Sequence, residues 1–225
     1  MTTIPTGGSW LWWSTGKDSA WALQRSPDVT ALVTTVTPTF GRVAVHGTRI
    51  EILERQAREA GLPLHAVELP YPCSNEAYEA AVASIIERAR AEGVESMAFG
   101  DLFLEDIRAY RVRLRAGSGI EPVFPLWKED TTRLADRMIE AGIEAHIVTL
   151  DPRRLDPAWA GARYDQAFLD ALPADVDPCG ENGEFHTCVV GGPAFSNPIQ
   201  VDVGEVVERE GFVYADLVLA DSGAG

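Results

Sequence analysis

The sequence predicts a doubly wound α/β fold with a mostly parallel sheet over residues 1–151, followed by a small α+β appendix over residues 152–225. Three observations predict it. Short apolar runs rich in β-branched residues alternate with helical patterns of about ten residues or more, which demands parallel pairing through right-handed crossovers. Stretches of Gly, Ser, Thr and Asp stand at the carboxyl ends of those runs, where open sheets of this kind bind ligands. The pattern then changes at Asp151, beyond which Pro152, Pro157, Pro173, Pro178, Pro193 and Pro198 interrupt the chain.

The first element is the apolar run Trp10-Leu11-Trp12-Trp13, a buried strand. The small-residue turn Ser14-Thr15-Gly16-Lys17-Asp18-Ser19 leads from it into the helical Ala20-Trp21-Ala22-Leu23. A second strand, Ala31 to Val36, ends at Thr37-Pro38. Ile50, Leu53, Ala57 and Ala60 mark the apolar face of a helix that Gly61 and Pro63 stop. Leu64 to Leu69 is the third strand. Asn75 is placed to cap a long helix with Tyr78, Val82, Ile85, Ile86 and Ala89 on one face, stopping at Gly93. Val94 to Phe99 forms the next strand, with Gly100-Asp101 at its carboxyl end. Helices over Glu105 to Ala116 and Thr132 to Ala141 follow, and Ile143 to Leu150 is the last strand before the change of pattern. In the appendix a helix is expected over Tyr164 to Ala171. Ile199 to Val207 and Phe212 to Leu219 flank a polar turn as a hairpin, and Asp221 to Gly225 reads as a frayed tail.

Composition narrows the function classes. The chain has 225 residues, a formal net charge of -15 and 46% hydrophobic residues. That charge opposes nonspecific attraction to a nucleic-acid backbone. Cys73, Cys179 and Cys188 are odd in number and form no C-x-x-C pair, so no disulfide framework is expected and a reducing cytoplasm is the default. Met1 to Pro5 has no basic segment leading into an apolar one, and no apolar run is long enough to span a bilayer. A homodimer is compatible with all of this.

Two constellations carry the chemistry. In Ser14 to Ser19, backbone N–H groups and the positive end of a helix dipole converge on one point, which with Lys17 suits a phosphate. The spacing is not that of a Walker A loop. In Asp177-Pro178-Cys179-Gly180-Glu181-Asn182-Gly183-Glu184-Phe185-His186-Thr187, two carboxylates, an amide, an imidazole and a hydroxyl lie around two glycines. The glycines admit a ligand close to the backbone, and Glu181 and Glu184 suit a cation or an amine. Cys179, His186 and Cys188 lack the short paired spacing of a zinc site. Arg108, Arg111 and Arg115 share a helix face that suits either an anionic ligand or an ordinary solvated surface. His46 either touches nucleotide or caps the next helix. Trp10, Trp12, Trp13 and Trp21 are assigned to packing.

Taken together, the chain resembles the diphthine–ammonia ligase type of ATP-binding protein, in the adenine nucleotide alpha hydrolase superfamily of PP-loop N-type ATP pyrophosphatases. The matching pieces are Ser14 to Ser19, Val45-His46-Gly47, Gln56-Ala57, Gly61-Leu62-Pro63-Leu64, Gly100-Asp101, Pro125-Leu126-Trp127 and Gly180 to Thr187, in family order. The resemblance implies a Rossmann-like fold and an enzyme that splits ATP to AMP and pyrophosphate, adenylates a carboxylate and forms an amide with ammonia. It implies that Ser14, Thr15, Gly16, Lys17, Asp18 and Ser19 cradle the phosphates. Val33, Thr34 and Thr35 would face the adenine, and Gly100 and Asp101 would border the crevice. Asp18 and Asp101 are the candidate Mg²⁺ contacts, and Asp18 serves equally as a helix cap. Gly180, Glu181, Asn182, Gly183, Glu184, His186 and Thr187 would meet the acyl substrate, and Lys17, Asp18, Glu181 and Glu184 are the catalytic candidates.

The family pattern carries Gly where Thr15 stands, and an extended backbone at Thr15 is expected to tolerate the change. Asn182 and His186 replace the Gly and Glu of the eukaryotic-type signature, so the acyl substrate need not be diphthine. Two other functions fit the same loop. One is a tRNA-thiolating enzyme, which needs a nucleophilic Cys and an RNA-binding surface. The other is a nucleotide-binding sensor without catalysis, which has no use for a second polar loop.

Overall fold

In a computed structural model that describes residues 8–44 and 46–220, sixteen helices and strands follow one another. They are β1 (Ser9–Trp12), α1 (Lys17–Gln24), β2 (Val29–Thr37), β3 (Arg42–Val43), α2 (Ile50–Ala60), β4 (Leu64–Glu68), α3 (Asn75–Ala91) and β5 (Ser96–Ala98). There follow α4 (Glu105–Arg115), β6 (Glu121–Val123), α5 (Thr131–Glu140), β7 (Glu144–Leu150), α6 (Gln166–Asp170), β8 (Phe185–Gly191), β9 (Val201–Arg209) and β10 (Phe212–Leu219). Val45 of the Val45-His46-Gly47 motif and the expected tail, Asp221 to Gly225, lie outside the described residues.

The parallel sheet has the order β4-β2-β1-β5-β6. From β1 the chain steps outward to β2 and β4, then crosses back to the other side of β1 and continues to β5 and β6. The direction reverses between β1 and β5, and the loops that leave those two strands diverge around a crevice at their carboxyl ends. This is the Rossmann-like arrangement that the alternating pattern predicted. The two-residue β3 pairs antiparallel with the end of β2, Val36 facing Val43. Pro122 in the outermost strand β6 leaves that edge without a full row of ladder donors.

Alternation along β1 explains the layers. Leu11 and Trp13 enter one core with Ala20 of α1 and Leu53 and Ala57 of α2. Trp10 and Trp12 point the other way, into a core with Val82, Ile85, Ile86 and Ala89 of α3. Covered on both faces, β1 is buried throughout. The cap of α3 is Ser74 and not Asn75: the Ser74 hydroxyl accepts the Ala77 N–H at 3.2 Å, and Asn75 is already the first helical residue. Asp130 does the same for α5, accepting from Arg133 N at 2.9 Å.

One strand lies elsewhere than its neighbours led us to expect. β7 does not extend the parallel layer; it sits in a second, antiparallel sheet of order β8-β7-β10-β9. The reason is β8, whose first three residues, Phe185 to Thr187, belong to the stretch expected to be a loop. The run Phe185 to Gly191 is buried at nearly every position and pairs with β7 across its whole length. The expected hairpin is present as β9 and β10. α2 ties the sheets together, since Leu53 packs into the parallel-sheet core and Ile52 into a cluster with Val148, Cys188, Val190 and Leu217.

Candidate active site

The turn after β1 is held from outside. The carbonyl of Thr15 accepts the Val189 N–H of β8 at 2.9 Å, and the hydroxyl of Thr187 accepts the Lys17 N–H at 3.1 Å. Gln56 of α2 is wholly buried and satisfies three elements at once. Its Oε1 accepts from the Trp13 indole at 2.8 Å, and its Nε2 donates to the Thr15 carbonyl at 3.1 Å and to the Val189 carbonyl at 2.7 Å. The expectation of an extended Thr15 is corrected: its φ is +74°, the left-handed region that disfavours a β-branched residue. The strain is offset by the two bonds to its carbonyl and by a 2.9 Å contact between the Thr15 and Thr48 hydroxyls. Gly100 is required for a different reason. A Cβ there would lie 3.0 Å from backbone atoms of Asp18 and Ser19, so only glycine lets the β5 end approach the first turn of α1 this closely.

A cavity of about 210 Å³ opens at this junction. Ser14, Lys17, Asp18 and Ser19 line it from the first turn; Gly100 and Asp101 line it from the end of β5, and Arg111 from α4. Cys179, Gly180 and Glu181 close it from the loop before β8, His186 and Thr187 from β8 itself, and His46 from the loop after β3. The two constellations singled out in sequence therefore face one another across a single space.

Lys17 is 1% exposed, and its Nζ donates to both carboxylate oxygens of Asp18 at 2.9 Å and to the Cys179 carbonyl at 2.5 Å. Burial alone would lower its pKa, but the adjacent Asp18 carboxylate, helped by Cys179 and Glu181, raises it, so the ammonium is retained. The rings of Tyr164 and Phe185 stand 5.2 and 5.6 Å from that nitrogen. Glu181 accepts the Leu102 N–H at 2.8 Å. Its carboxyl is pushed up to about 7, first by burial and then by Asp18 and Asp101, against the pull of that hydrogen bond and of Lys17. His46 and His186 lie with ring centres 4.7 Å apart. Burial holds both neutral, with pKa values of about 4 and about 3. His46 Nδ1 faces the Thr187 carbonyl at 3.2 Å, so it carries the proton.

Several candidates stand off the cavity. Glu184 is buried and turned into its own loop, where one oxygen accepts from Asp177 N and from Asn182 Nδ2, both at 3.1 Å. Glu184 thus braces the loop, and Asn182 is its clamp; neither they nor Gly183 line the space. Thr15, Gly16, Val33, Thr34 and Thr35 lie behind the lining, and a Cβ on Gly16 would meet His46 at 3.0 Å and the Thr187 carbonyl at 3.2 Å. The arginine face is not solvated as an ordinary helix surface would be, because Arg115 is 3% exposed and stacked 4.3 Å from the Phe99 ring. His46 lines the cavity and does not cap α2, whose cap is Arg49. Three participants were missed in sequence: Gln56 as a connector, Tyr164 and Phe185. The signal for Gln56 was a polar residue on the apolar stripe of α2, three positions after Leu53.

Residues 8–121 match the family model described as the diphthamide synthase N-terminal domain, and residues 130–217 match the diphthamide synthase C-terminal domain. The chain belongs to the diphthamide synthase family. No curated protein matches it. Membership points to an ATP-using, ligase-type enzyme of the diphthine–ammonia ligase kind. Among the described residues no helix is long and apolar enough to cross a membrane.

The family implies ATP use. Among the described residues no cluster of three or more His, Cys, Asp or Glu side chains forms a ready-made metal cage. Asp18 and Asp101 are two carboxylates on one cavity, and Mg²⁺ is commonly held by one or two carboxylates together with substrate phosphates.

Proposed function

We propose that the chain adenylates a carboxylate with ATP and converts the acyl-adenylate to an amide with ammonia, releasing AMP and pyrophosphate. The observation that carries this reading is that a buried, permanently charged Lys17 and a carboxyl titrating near neutrality, Glu181, line the same cavity from two sides. A carboxylate oxygen attacks the α-phosphorus, and the bond from that phosphorus to the bridging oxygen of pyrophosphate breaks with its electron pair leaving on oxygen. The amides of the β1–α1 turn and the charge of Lys17 suit the negative charge that gathers there. Ammonia then attacks the acyl carbon and AMP leaves with the C–O electron pair. The proton shed by the new nitrogen needs an acceptor with a pKa near the working pH, and Glu181 meets that need. Mg²⁺, which Asp18 and Asp101 would hold, supplies charge neutralisation to the phosphates when bound.

Sulfur transfer is disfavoured by the thiols. Burial pushes both Cys179 and Cys188 up to about 12, so neither is a thiolate at neutral pH. The test is pyrophosphate release from ATP and Mg²⁺ with ammonium and a panel of carboxylates. Release should depend on the carboxylate and fall by about 10²-fold or more in Lys17→Ala, as expected for loss of one preorganised electrostatic partner. Release that survives Lys17→Ala, or that no carboxylate stimulates, overturns the reading.

A further inference from the structure

Arg111 differs from the other ion-paired arginines. It lines the cavity from α4, and its side chain is only 19% exposed. Its guanidinium lies 5.0 Å from the Phe99 ring centre and 5.7 Å from that of Trp12, which hold it over two ring faces. Its Nε donates to Asp101 Oδ2 at 3.4 Å, a long contact that orients more than it neutralises. Arg153 shows what a committed pair looks like in this protein, with Nε and Nη2 both 2.8 Å from Asp151. Arg111 makes no such fork, and among the described residues neither of its terminal nitrogens has a partner.

A second charge lies beneath it. Arg115 is buried, donates through Nη1 to the Arg111 carbonyl at 2.9 Å, and shares the Phe99 and Trp12 rings. Burial first, and the Arg111 charge second, draw the Arg115 pKa down to about 10. Two guanidinium groups thus share the same pair of rings, and of the two only Arg111 reaches the Asp101 carboxylate.

The geometry points to Arg111 as the residue that binds the carboxylate of the acyl substrate, through its open terminal nitrogens on the β5–α4 side of the cavity, with Lys17 on the β1–α1 side. This rests on the adenylating reading above. A guanidinium fork matches a carboxylate in two parallel hydrogen bonds. The phosphates have their own donors in the β1–α1 turn, and a planar two-oxygen anion suits a planar group held against ring faces. Held there, the carboxylate is ordered before it attacks, and its charge is offset without protonation.

Titration calorimetry on the full chain separates the two sources of anionic oxygen. Each protein is titrated with α,β-methylene-ATP and Mg²⁺, and the analogue-saturated protein is then titrated with acetate, glutarate and benzoate. Arg111→Met should raise the Kd of the best carboxylate at least tenfold, and Arg111→Lys several-fold, because an ammonium cannot form the fork. Arg108→Met, on the same helix but off the cavity lining, should leave it unchanged. The analogue Kd should stay within twofold in all four proteins. A tenfold loss of analogue affinity in Arg111→Met would assign the residue to phosphate and overturn the inference. So would carboxylate binding that is absent from the unaltered protein or indifferent to Arg111. Absence of carboxylate-dependent exchange of pyrophosphate into ATP, with the calorimetric pattern intact, would sink the adenylating reading alone.

Discussion

Replacing Glu181 by glutamine should stabilise the protein above neutral pH while removing its activity. The carboxyl is held at about 7 rather than at its ordinary 4.5. Below 4.5 both the folded and the unfolded chain carry the proton, and there is no penalty. Between 4.5 and about 7 the unfolded chain ionises first, so stability falls by about 1.4 kcal/mol per pH unit. Above that both states are ionised and the penalty is constant. The full interval sets an upper limit near ~3 kcal/mol, which solvent at the open side of the cavity reduces to about 2 kcal/mol. Glutamine keeps an acceptor for the Leu102 N–H and has no charge to bury. Denaturant unfolding at pH 5 and pH 8 should therefore show Glu181→Gln gaining about 1.5 kcal/mol more at the higher pH, since about a quarter of the penalty is already present at pH 5, or roughly 3–6 °C in Tm for a chain of this size. Ammonia-dependent amide formation should fall in the same variant. An equal effect on stability at both pH values would show that the carboxyl is not held neutral, and the assignment of Glu181 as proton acceptor would fall with it.

Thr15 and Gln56 test the turn itself. Thr15→Ala keeps the left-handed strain and loses both the hydroxyl and the methyl, whereas Thr15→Gly relieves the strain. Glycine should therefore be better tolerated than alanine by about 1 kcal/mol, the reverse of their order in a helix interior, and equal melting temperatures would refute the backbone assignment. Gln56→Leu strands the Trp13 indole N–H and removes a donor from two carbonyls. A loss of about 2–4 kcal/mol in chemical denaturation follows from uncovering such buried groups. Asp216 accepts from Arg42 at 2.8 Å and from Arg49 at 2.6 Å. Despite the opposing effect of burial, the two guanidinium groups lower its carboxyl from 3.8 to about 2. The stability it supplies is present above pH 4 and lost as pH falls through about 2, so Asp216→Asn should flatten the acid limb of the unfolding curve between those values. An unchanged acid limb would show that the triad contributes nothing.

The parallel layer was legible because its signals are local. Trp10 to Trp13, Ala31 to Val36 and the α3 stripe each announce their element within one or two turns of chain. β8 was not legible, since Phe185 to Gly191 follows directly on two glycines and a run of polar residues that read as a loop. Only its pairing with β7 and its bonds to the β1–α1 turn make it a strand. The position of β7 went with it, for parallel and antiparallel pairing look alike in a short apolar run. Within the site, residue types pointed to Lys17, Asp101 and Glu181 but gave no direction for side chains. That is why Glu184, three positions from Glu181 on the same loop, turns out to brace the loop rather than face the cavity. Thr15 had an extended conformation inferred from its branching. The closing of the turn by Val189 and Gln56 overrode that local preference.

The bond from the Lys17 amide to the Thr187 hydroxyl spans 170 positions of sequence. During synthesis the whole parallel sheet emerges before the chain that completes its β1–α1 turn. Until β8 arrives, the carbonyl of Thr15 lacks the donor from Val189, and the strained threonine has lost one of its main supports. The turn therefore gains its full set of hydrogen bonds only after β8 has emerged and paired with β7. A molecule whose second sheet has failed to form has no finished β1–α1 turn.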